Sequence, residues 1–202
     1  MEVIDSIKDR RSIRAFDKDK EITDDEINVI LDAAKWYPSA RNIQPIEFIV
    51  IRDKDIREKL AEVSNQIQPK IAPVCIVVIA DMNREWLIGE ISPHDTTTSD
   101  KGINIFMYMD AGAAIQNLML AAHSLGIGSL WISAFDAGEL RKIVKVPKHY
   151  KTLAIICLGQ YSHKPRAPPK RNLDEMVHFD KFTQKKYDNS YLEFSRNINA
   201  GT

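Results

Sequence analysis

The sequence predicts an α+β fold, and two observations support this prediction. Helical and strand-like segments alternate along the chain, but only four strands can be identified. The chain then ends in a tail, residues 160–202, that begins as a Pro-rich, basic segment. This order differs from the regular strand–helix alternation of a doubly wound α/β domain. At 202 residues, we expect one domain over the whole chain, 1–202.

The composition excludes several classes of protein. Lys and Arg number 28 and Asp and Glu also number 28, so the formal net charge is zero and a strongly basic nucleic-acid binder is not expected. Cys75 and Cys157 lie in apolar segments and are predicted to be buried thiols, and no metal site is expected. The chain starts without an apolar leader, and we see no stretch of roughly 18–20 apolar residues. A cytoplasmic protein with no membrane partner is therefore expected.

Five helices are predicted from capping residues and from apolar side chains at helical spacing. Thr23 and Glu26 form a capping box at the start of the second helix. The fourth helix is the most apolar, and Gly126 follows it as a good C-terminal capping residue. The predicted helices run from Val3 to about Arg10, from Thr23 until Pro38 stops the helix, from about Asp53 to Ile67, from about Asp110 to Ser124, and from Asp136 to before Pro147.

Four buried strands are predicted from short apolar runs. Their ranges are 46–52, 74–80, 129–133 and 152–159. Residues 81–101 lack any period and are predicted to be irregular.

The common catalytic motifs are missing. The sequence has no GxGxxG after a strand, no GxxxxGK(S/T), no GxSxG and no HExxH. His123 lies in the most apolar helix and is expected to be a structural histidine. No residue is therefore assigned as catalytic.

Three segments could instead bind an anion. In Arg10-Arg11-Ser12-Ile13-Arg14, three guanidinium groups and a hydroxyl could hold a phosphate, because guanidinium forms paired hydrogen bonds with phosphate oxygens. The alternative is a solvated basic turn paired with Asp5 and Asp9. The segment 38–45, PSARNIQP, offers hydroxyl and amide groups suited to the edge of a heterocycle, or is only a polar loop. Lys170-Arg171 is a second phosphate arm or a surface pair.

Together these segments resemble the FMN-dependent nitroreductase family. RRSIRAF is similar to its N-terminal RRSxRxF motif, and PSARNIQPIEF to its PSxxNxQPxxF motif. DAGAAIQNLMLAAHSLGIGSLWISAF is similar to its long central helix and the strand that follows. KRNLDEMVHFD is similar to its basic closing segment. The motifs occur in the family's order over about residues 4–180.

The resemblance implies a three-layer α+β fold with a central, mostly antiparallel sheet, in an intertwined homodimer with FMN at the interface. It implies that one chain supplies the basic segment, that the other supplies Pro38 to Asn42, and that the tail 160–202 embraces the partner. The backbone N–H of Ser133 would lie near flavin N5. The residues assigned to FMN are Arg10, Arg11, Ser12, Arg14, Pro38, Ser39, Ala40, Asn42, Trp131, Ser133, Ala134, Lys170 and Arg171.

The implied activity is a ping-pong oxidoreductase cycle. NAD(P)H as co-substrate reduces FMN, and a nitroaromatic, a quinone or a similar small-molecule acceptor takes the electrons. Absence of a nucleophile or metal motif fits this activity, since a flavin supplies the redox chemistry. Two alternatives stay open: another flavin reaction on the same scaffold, such as reductive dehalogenation, ene reduction or flavin breakdown, and a non-catalytic FMN-binding dimer. Residues 82–109 are the expected substrate lid.

Overall fold

The computed structural model describes residues 2–84 and 100–185, with side chains 100–104 left out of the description. The chain divides into two compact units, Met1–Pro165 and Arg166–Thr202. Most of the expected lid, including Trp86, and the tail aromatics Tyr187, Tyr191 and Phe194 lie outside the described residues.

The described helices are close to the predicted ones. Thr23 and Glu26 form the predicted capping box, with each side chain bonded to the other residue's backbone N–H. Asp53 and Asp136 each accept a backbone N–H at the start of their helices. The helices are α1 Val3–Asp9, α2 Asp24–Ala34, α3 Lys54–Ser64, α4 Gln68–Ile71, α5 Asp100–Ser124, α6 Ala137–Ile143 and α7 Leu173–Met176, with a 3₁₀ turn at Ala40–Asn42.

The sheet has four antiparallel strands in the order β1-β2-β4-β3. The strands are β1 Ile46–Ile51, β2 Val74–Asp81, β3 Gly128–Ile132 and β4 Tyr150–Gly159. Each lies within two residues of its predicted position. The α+β prediction and the mostly antiparallel sheet are therefore confirmed.

Four predicted helix boundaries are wrong. The helices α2 and α6 end at Ala34 and Ile143, each about three residues before the ends that Pro38 and Pro147 were expected to set. The helix α5 begins at Asp100, ten residues before the predicted start. Its early apolar side chains point in different directions, since Ile105, Tyr108 and Met109 are exposed whereas Met107 is buried, and they give no single core-facing stripe for a sequence pattern to detect. The helix α3 ends at Ser64 because Asn65 takes a left-handed conformation, which leaves Ile67 outside it and exposed.

The helix α5 also corrects the expectation about apolar stretches. The segment Ile105–Ser124 of this helix is long and apolar enough to cross a membrane. Several of these residues instead pack in the interior of the first unit, where Ile115 and Leu118 are fully buried against the sheet. Burial accounts for the apolar residues on one side of α5 only, because Ile105, Tyr108 and Met109 of the same helix are exposed.

The sheet is covered on both faces, which gives the three-layer arrangement. Val74, Ile76 and Val78 face one side, where α2 and α5 pack. Cys75 and Val77 face the other side, with residues of α3 and α6. Since β2 is buried on both faces, its sequence is a continuous apolar run rather than an alternating one.

The two cysteines are buried and free, as predicted. They are directly opposed on β2 and β4, with sulfur atoms 3.9 Å apart. The hydrogen bond with Cys75, and then burial, raise the pKa of Cys157 well above its ordinary value. A thiol with a raised pKa and no exposure is chemically inert at neutral pH.

One carboxyl group, that of Asp110, lies in the interior among the apolar side chains of α5. The residue is 6% exposed. Burial raises the pKa of Asp110 to about 6, and a hydrogen bond donated by the Ala40 backbone acts in the opposite direction. The folded chain thus binds a proton at Asp110 more tightly than the unfolded chain does.

We predict that Asp110→Asn stabilises the protein above pH 6. The cost of burying the ionised carboxyl is absent well below pH 3.8, the ordinary pKa of the group, and grows as the pH rises from there to about 6. The neutral amide avoids this cost, so the free energy of unfolding at pH 8 should increase by up to about 3 kcal/mol. Urea denaturation at pH 8, at pH 4.5 and below the ordinary pKa measures this difference from the wild type, which should be smaller at pH 4.5 than at pH 8 and should disappear at the lowest pH.

The matched control is Asp32→Asn, an exposed carboxyl on α2. A hydrogen bond from Lys35 lowers the pKa of Asp32, so neutralising it should bring no gain at pH 8. If Asp110→Asn lowered the free energy of unfolding by the same amount at every pH, ionisation of the Asp110 carboxyl would not explain the change.

Candidate functional site

The basic segment 10–14 lies along the outer edge of β3. Ser12 pairs with Ser129 in parallel, and the Ile13 N–H donates to the Ser129 carbonyl at 2.9 Å. The Ile13 side chain is buried. Gly128 makes room for it, since a Cβ there would lie 2.8 Å from Ile13 Cγ1. The sheet therefore fixes the backbone that carries the three arginines.

Arg10 and Arg11 are half-buried, and each has an N–H donor without an acceptor. The Nε atom of each is buried without a hydrogen-bond partner in the described part of the chain. Burial, and then the charge of Arg11, lower the pKa of Arg10. Arg11 Nη1 donates to the carbonyls of Lys8 and Arg10, both at 2.7 Å, and so caps the end of α1. Two adjacent cations with unused N–H donors form a site that an anion would complete.

The solvated turn paired with Asp5 and Asp9 does not describe this segment. The Asp9 carboxylate lies 3.2 Å from His123 Nε2 and 2.5 Å from Lys164 Nζ. The hydrogen bond from Lys164 is the main reason that the pKa of Asp9 is lowered. His123 is buried and bonded to Asp9, so its expected structural role is confirmed. Asp9 thus pairs with groups other than the arginines that follow it.

Ser129 is a polar residue of this edge that the sequence did not single out. It is 1% exposed, and its Oγ has no partner among the described residues. Within an apolar strand, a serine gives no signal of its own. Only its pairing with Ser12 places it beside the basic segment.

The residues expected to lie along the flavin ring system are at the end of β3. β3 ends at Ile132, and Ser133 and Ala134 follow it as exposed residues. Trp131 is 39% exposed. These residues and the basic segment therefore share one edge of the sheet.

The 38–45 loop connects α2 to β1 through the 3₁₀ turn. Arg41, Asn42 and Gln44 have φ of 52°, 57° and 54°, in the left-handed region. The Gln44 N–H donates to Ser39 Oγ at 3.1 Å, and the Ile46 N–H donates to the Tyr37 hydroxyl at 3.1 Å. Asn42 and Pro38 are exposed. The loop is thus irregular, internally bonded and open at its tip.

The loop and the basic segment occupy opposite corners of the sheet in one chain. The loop enters β1 at Ile46, which pairs with Ala80, whereas Ser129 is in register with Leu158 and so with Val74 at the other end of β2. β1 and β3 are also the two edge strands. Three strand spacings and six residues of rise give a separation of roughly 25 Å.

Lys170 and Arg171 belong to the second unit. Lys170 is exposed. Arg171 is half-buried, with Nε 3.4 Å from Glu175 Oε2 and Nη2 3.4 Å from the Glu175 carbonyl. Their expected role as a phosphate arm stays a prediction.

This chain is similar to known proteins over most of its length. The model of the nitroreductase family matches residues 7–160. A protein of Methanothermobacter thermautotrophicus assigned as an NADH dehydrogenase/NAD(P)H nitroreductase is 35% identical over 170 residues, covering 82% of this chain and 80% of the relative. The FMN reductase (NAD(P)H) of Bacillus subtilis is 31% identical over 177 residues, covering 83% and 70%.

A solved structure shows the same fold. The NADPH:FMN oxidoreductase of Vibrio harveyi, in complex with NAD+, superposes with a TM-score of 0.80 at 24% identity, covering 98% of this chain and 85% of that one. The ordered motifs, the three-layer sheet and the family match agree, and the chain belongs to the nitroreductase family of oxidoreductases.

Proposed function

We propose that the chain is an NAD(P)H-dependent oxidoreductase that holds FMN at the outer edge of β3. The observation that carries this proposal is the pair of half-buried guanidinium groups whose Nε atoms lack acceptors. They fit a bound phosphate, which would satisfy these donors and offset the repulsion between the two charges. The names of the two relatives, an NAD(P)H nitroreductase and an FMN reductase, support the same cofactor and reductant.

The proposed reaction is a ping-pong reduction of a nitroaromatic, a quinone or a similar acceptor. Bound FMN would supply the transfer of a hydride equivalent from NAD(P)H to that acceptor. The described residues of the chain would bind and orient the flavin. A cytoplasmic location, where NAD(P)H is available, belongs to the same proposal.

The residues assigned to FMN would have different roles. Arg10 and Arg11 would hold the phosphate, and Ser12 would add a hydroxyl donor. Arg14 is exposed, so its side chain is free to stabilise negative charge on the pyrimidine edge of the flavin. Trp131, Ser133 and Ala134 would lie along the ring system, and Lys170 and Arg171 would add phosphate contacts.

The complete site is proposed to form in a homodimer. The roughly 25 Å between the 38–45 loop and the basic segment is too far for one small site, so Pro38, Ser39, Ala40 and Asn42 would serve the flavin of the other chain. Exposed apolar side chains support a partner surface in the first unit. They include Val3, Ile4 and Ile7 on α1, Val29 on α2, and Ile105, Tyr108 and Met109 on α5.

The visible spectrum of the purified protein tests this proposal first. We expect a bound flavin that bleaches when NADH or NADPH is added without oxygen and recovers its colour with a nitroaromatic or a quinone. A flavin that stays oxidised with both donors would indicate the non-catalytic dimer. Reduction without transfer to either acceptor would indicate another flavin reaction. No flavin, even after FMN is added, would overturn the proposal.

We predict that Arg11→Ala weakens FMN binding. Loss of a charge-assisted phosphate contact costs about 1.5–3 kcal/mol, which corresponds to a dissociation constant roughly 10–150 times larger. Quenching of flavin fluorescence on titration into the apoprotein measures it. Arg52→Ala, which removes an exposed arginine paired with Asp24, is the control and should bind FMN like the wild type. Equal affinity for Arg11→Ala and the wild type would reject Arg11 as a phosphate ligand.

We also predict that removing the residues after Asp180 weakens the dimer, since the tail 160–202 is proposed to embrace the partner subunit. Sedimentation velocity over a dilution series measures the dimer dissociation constant. The intact chain is the reference. A shortened chain that remains dimeric at the same dilution would contradict the role of the tail.

A further inference from the structure

Asp9 carries a carboxylate next in sequence to the two arginines assigned to phosphate. It is the last residue of α1 and immediately precedes Arg10. Arg11 Nη1 donates to the carbonyls of Lys8 and Arg10, the residues on either side of Asp9, at 2.7 Å each. The Arg11 guanidinium therefore lies close to the backbone from which the Asp9 side chain extends.

A carboxylate in this position is a potential competitor of the proposed phosphate. Guanidinium groups form paired, charge-assisted hydrogen bonds with carboxylates and with phosphates alike. If Asp9 turned to the arginines, it would occupy donors that the phosphate needs. The Nε atoms of Arg10 and Arg11 have no partner in the described part of the chain, so these donors remain open.

The Asp9 carboxylate is held elsewhere through both of its oxygens. Lys164 Nζ lies 2.5 Å from Oδ1, and His123 Nε2 lies 3.2 Å from Oδ2. His123 is 6% exposed on α5, so packing in the interior fixes its ring. A carboxylate at the C-terminal end of a helix is unfavourable beside the carbonyl groups there, so the stability of α1 does not explain this arrangement.

Lys164 is placed by a segment, residues 160–164, that follows β4 and is bonded to the chain near the basic segment. The Asp17 N–H donates to the Gln160 carbonyl at 2.8 Å. Tyr161 packs against the start of β3, where a Cβ on Gly128 would lie 2.7 Å from Tyr161 Cδ1. Lys164 thus extends from a backbone that is held at two points.

We propose that Lys164 is a positioning residue that, together with His123, holds Asp9 away from the arginines. Their donors then stay available to the flavin phosphate. Lys164 acts through Asp9 and not on the flavin. Without the lysine, the carboxylate is able to turn to the neighbouring guanidinium groups and to compete with the phosphate. This inference rests on the proposed function, because that function supplies the phosphate.

A double-mutant cycle on Asp9 and Lys164 tests the inference through the FMN affinity of the apoprotein, measured by quenching of flavin fluorescence. Lys164→Met should raise the dissociation constant about three- to tenfold, the range expected when a partly exposed ion pair competes with the ligand. Asp9→Asn alone should change it by less than about twofold, because the carboxylate is already withheld. The double variant should return to within about twofold of the wild type.

The lack of additivity separates this mechanism from a simple change of charge. If both charges acted on the phosphate only at long range, Asp9→Asn would tighten FMN binding by the same factor with and without Lys164. Riboflavin, which lacks the phosphate, should bind all four proteins equally. Lys70→Met removes an exposed lysine paired with Glu58, and as the matched control it should bind FMN like the wild type.

Four results would overturn the inference. They are unchanged FMN affinity in Lys164→Met, weaker binding in Asp9→Asn alone, no recovery in the double variant, and an equal loss of riboflavin affinity in Lys164→Met. The second would make Asp9 a support of the basic segment, and the third would make Lys164 a direct phosphate contact. Wild-type protein that binds riboflavin as tightly as FMN would overturn the phosphate site of the proposed function, and this inference with it.

Discussion

The pairing of the basic segment with β3 is the constraint on which the site depends. The Ile13 N–H and the Ser129 carbonyl join two segments that are far apart in sequence, and Ile13 is buried where Gly128 leaves room. The backbone on either side of Ile13 cannot then move away from the sheet. Arg10 and Arg11 are held next to each other, half-buried, with unused donors. In water each guanidinium would be solvated independently, so it is the pairing with β3 that makes this basic segment a candidate anion site.

The same constraint favours a site shared between two chains. Once the basic segment is fixed at the β3 edge, the order β1-β2-β4-β3 places the 38–45 loop at the far corner of the same sheet. No rearrangement of side chains closes a gap of roughly 25 Å, because the strands between are buried on both faces and rigid. A second chain can bring its own loop to this edge. The exposed apolar side chains of α1 and α5 offer it a surface.

Sequence signals between neighbouring residues predicted most of the fold. Contacts between residues far apart in the sequence were not predicted. The capping box of Thr23 and the apolar run of β2 depend on neighbours in sequence, and both were identified. The start of α5 was missed because most of its early described apolar residues are exposed, whereas the sequence pattern expects apolar residues on one core-facing side. Ser129 was missed for a different reason. Its partner, Ser12, is 117 positions away, and only the folded chain brings the two residues together.

Two buried polar side chains lie beside the segment assigned to the flavin phosphate. In the described part of the chain, five polar residues are buried, and two of them contact this segment or the residue next to it. His123 bonds to Asp9 immediately before Arg10, and Ser129 lies opposite Ser12. Burying a polar group has a cost that an apolar core avoids. A cofactor that supplies the redox chemistry requires accurate positioning from the protein, and at these two residues the chain accepts that cost where the basic segment is held.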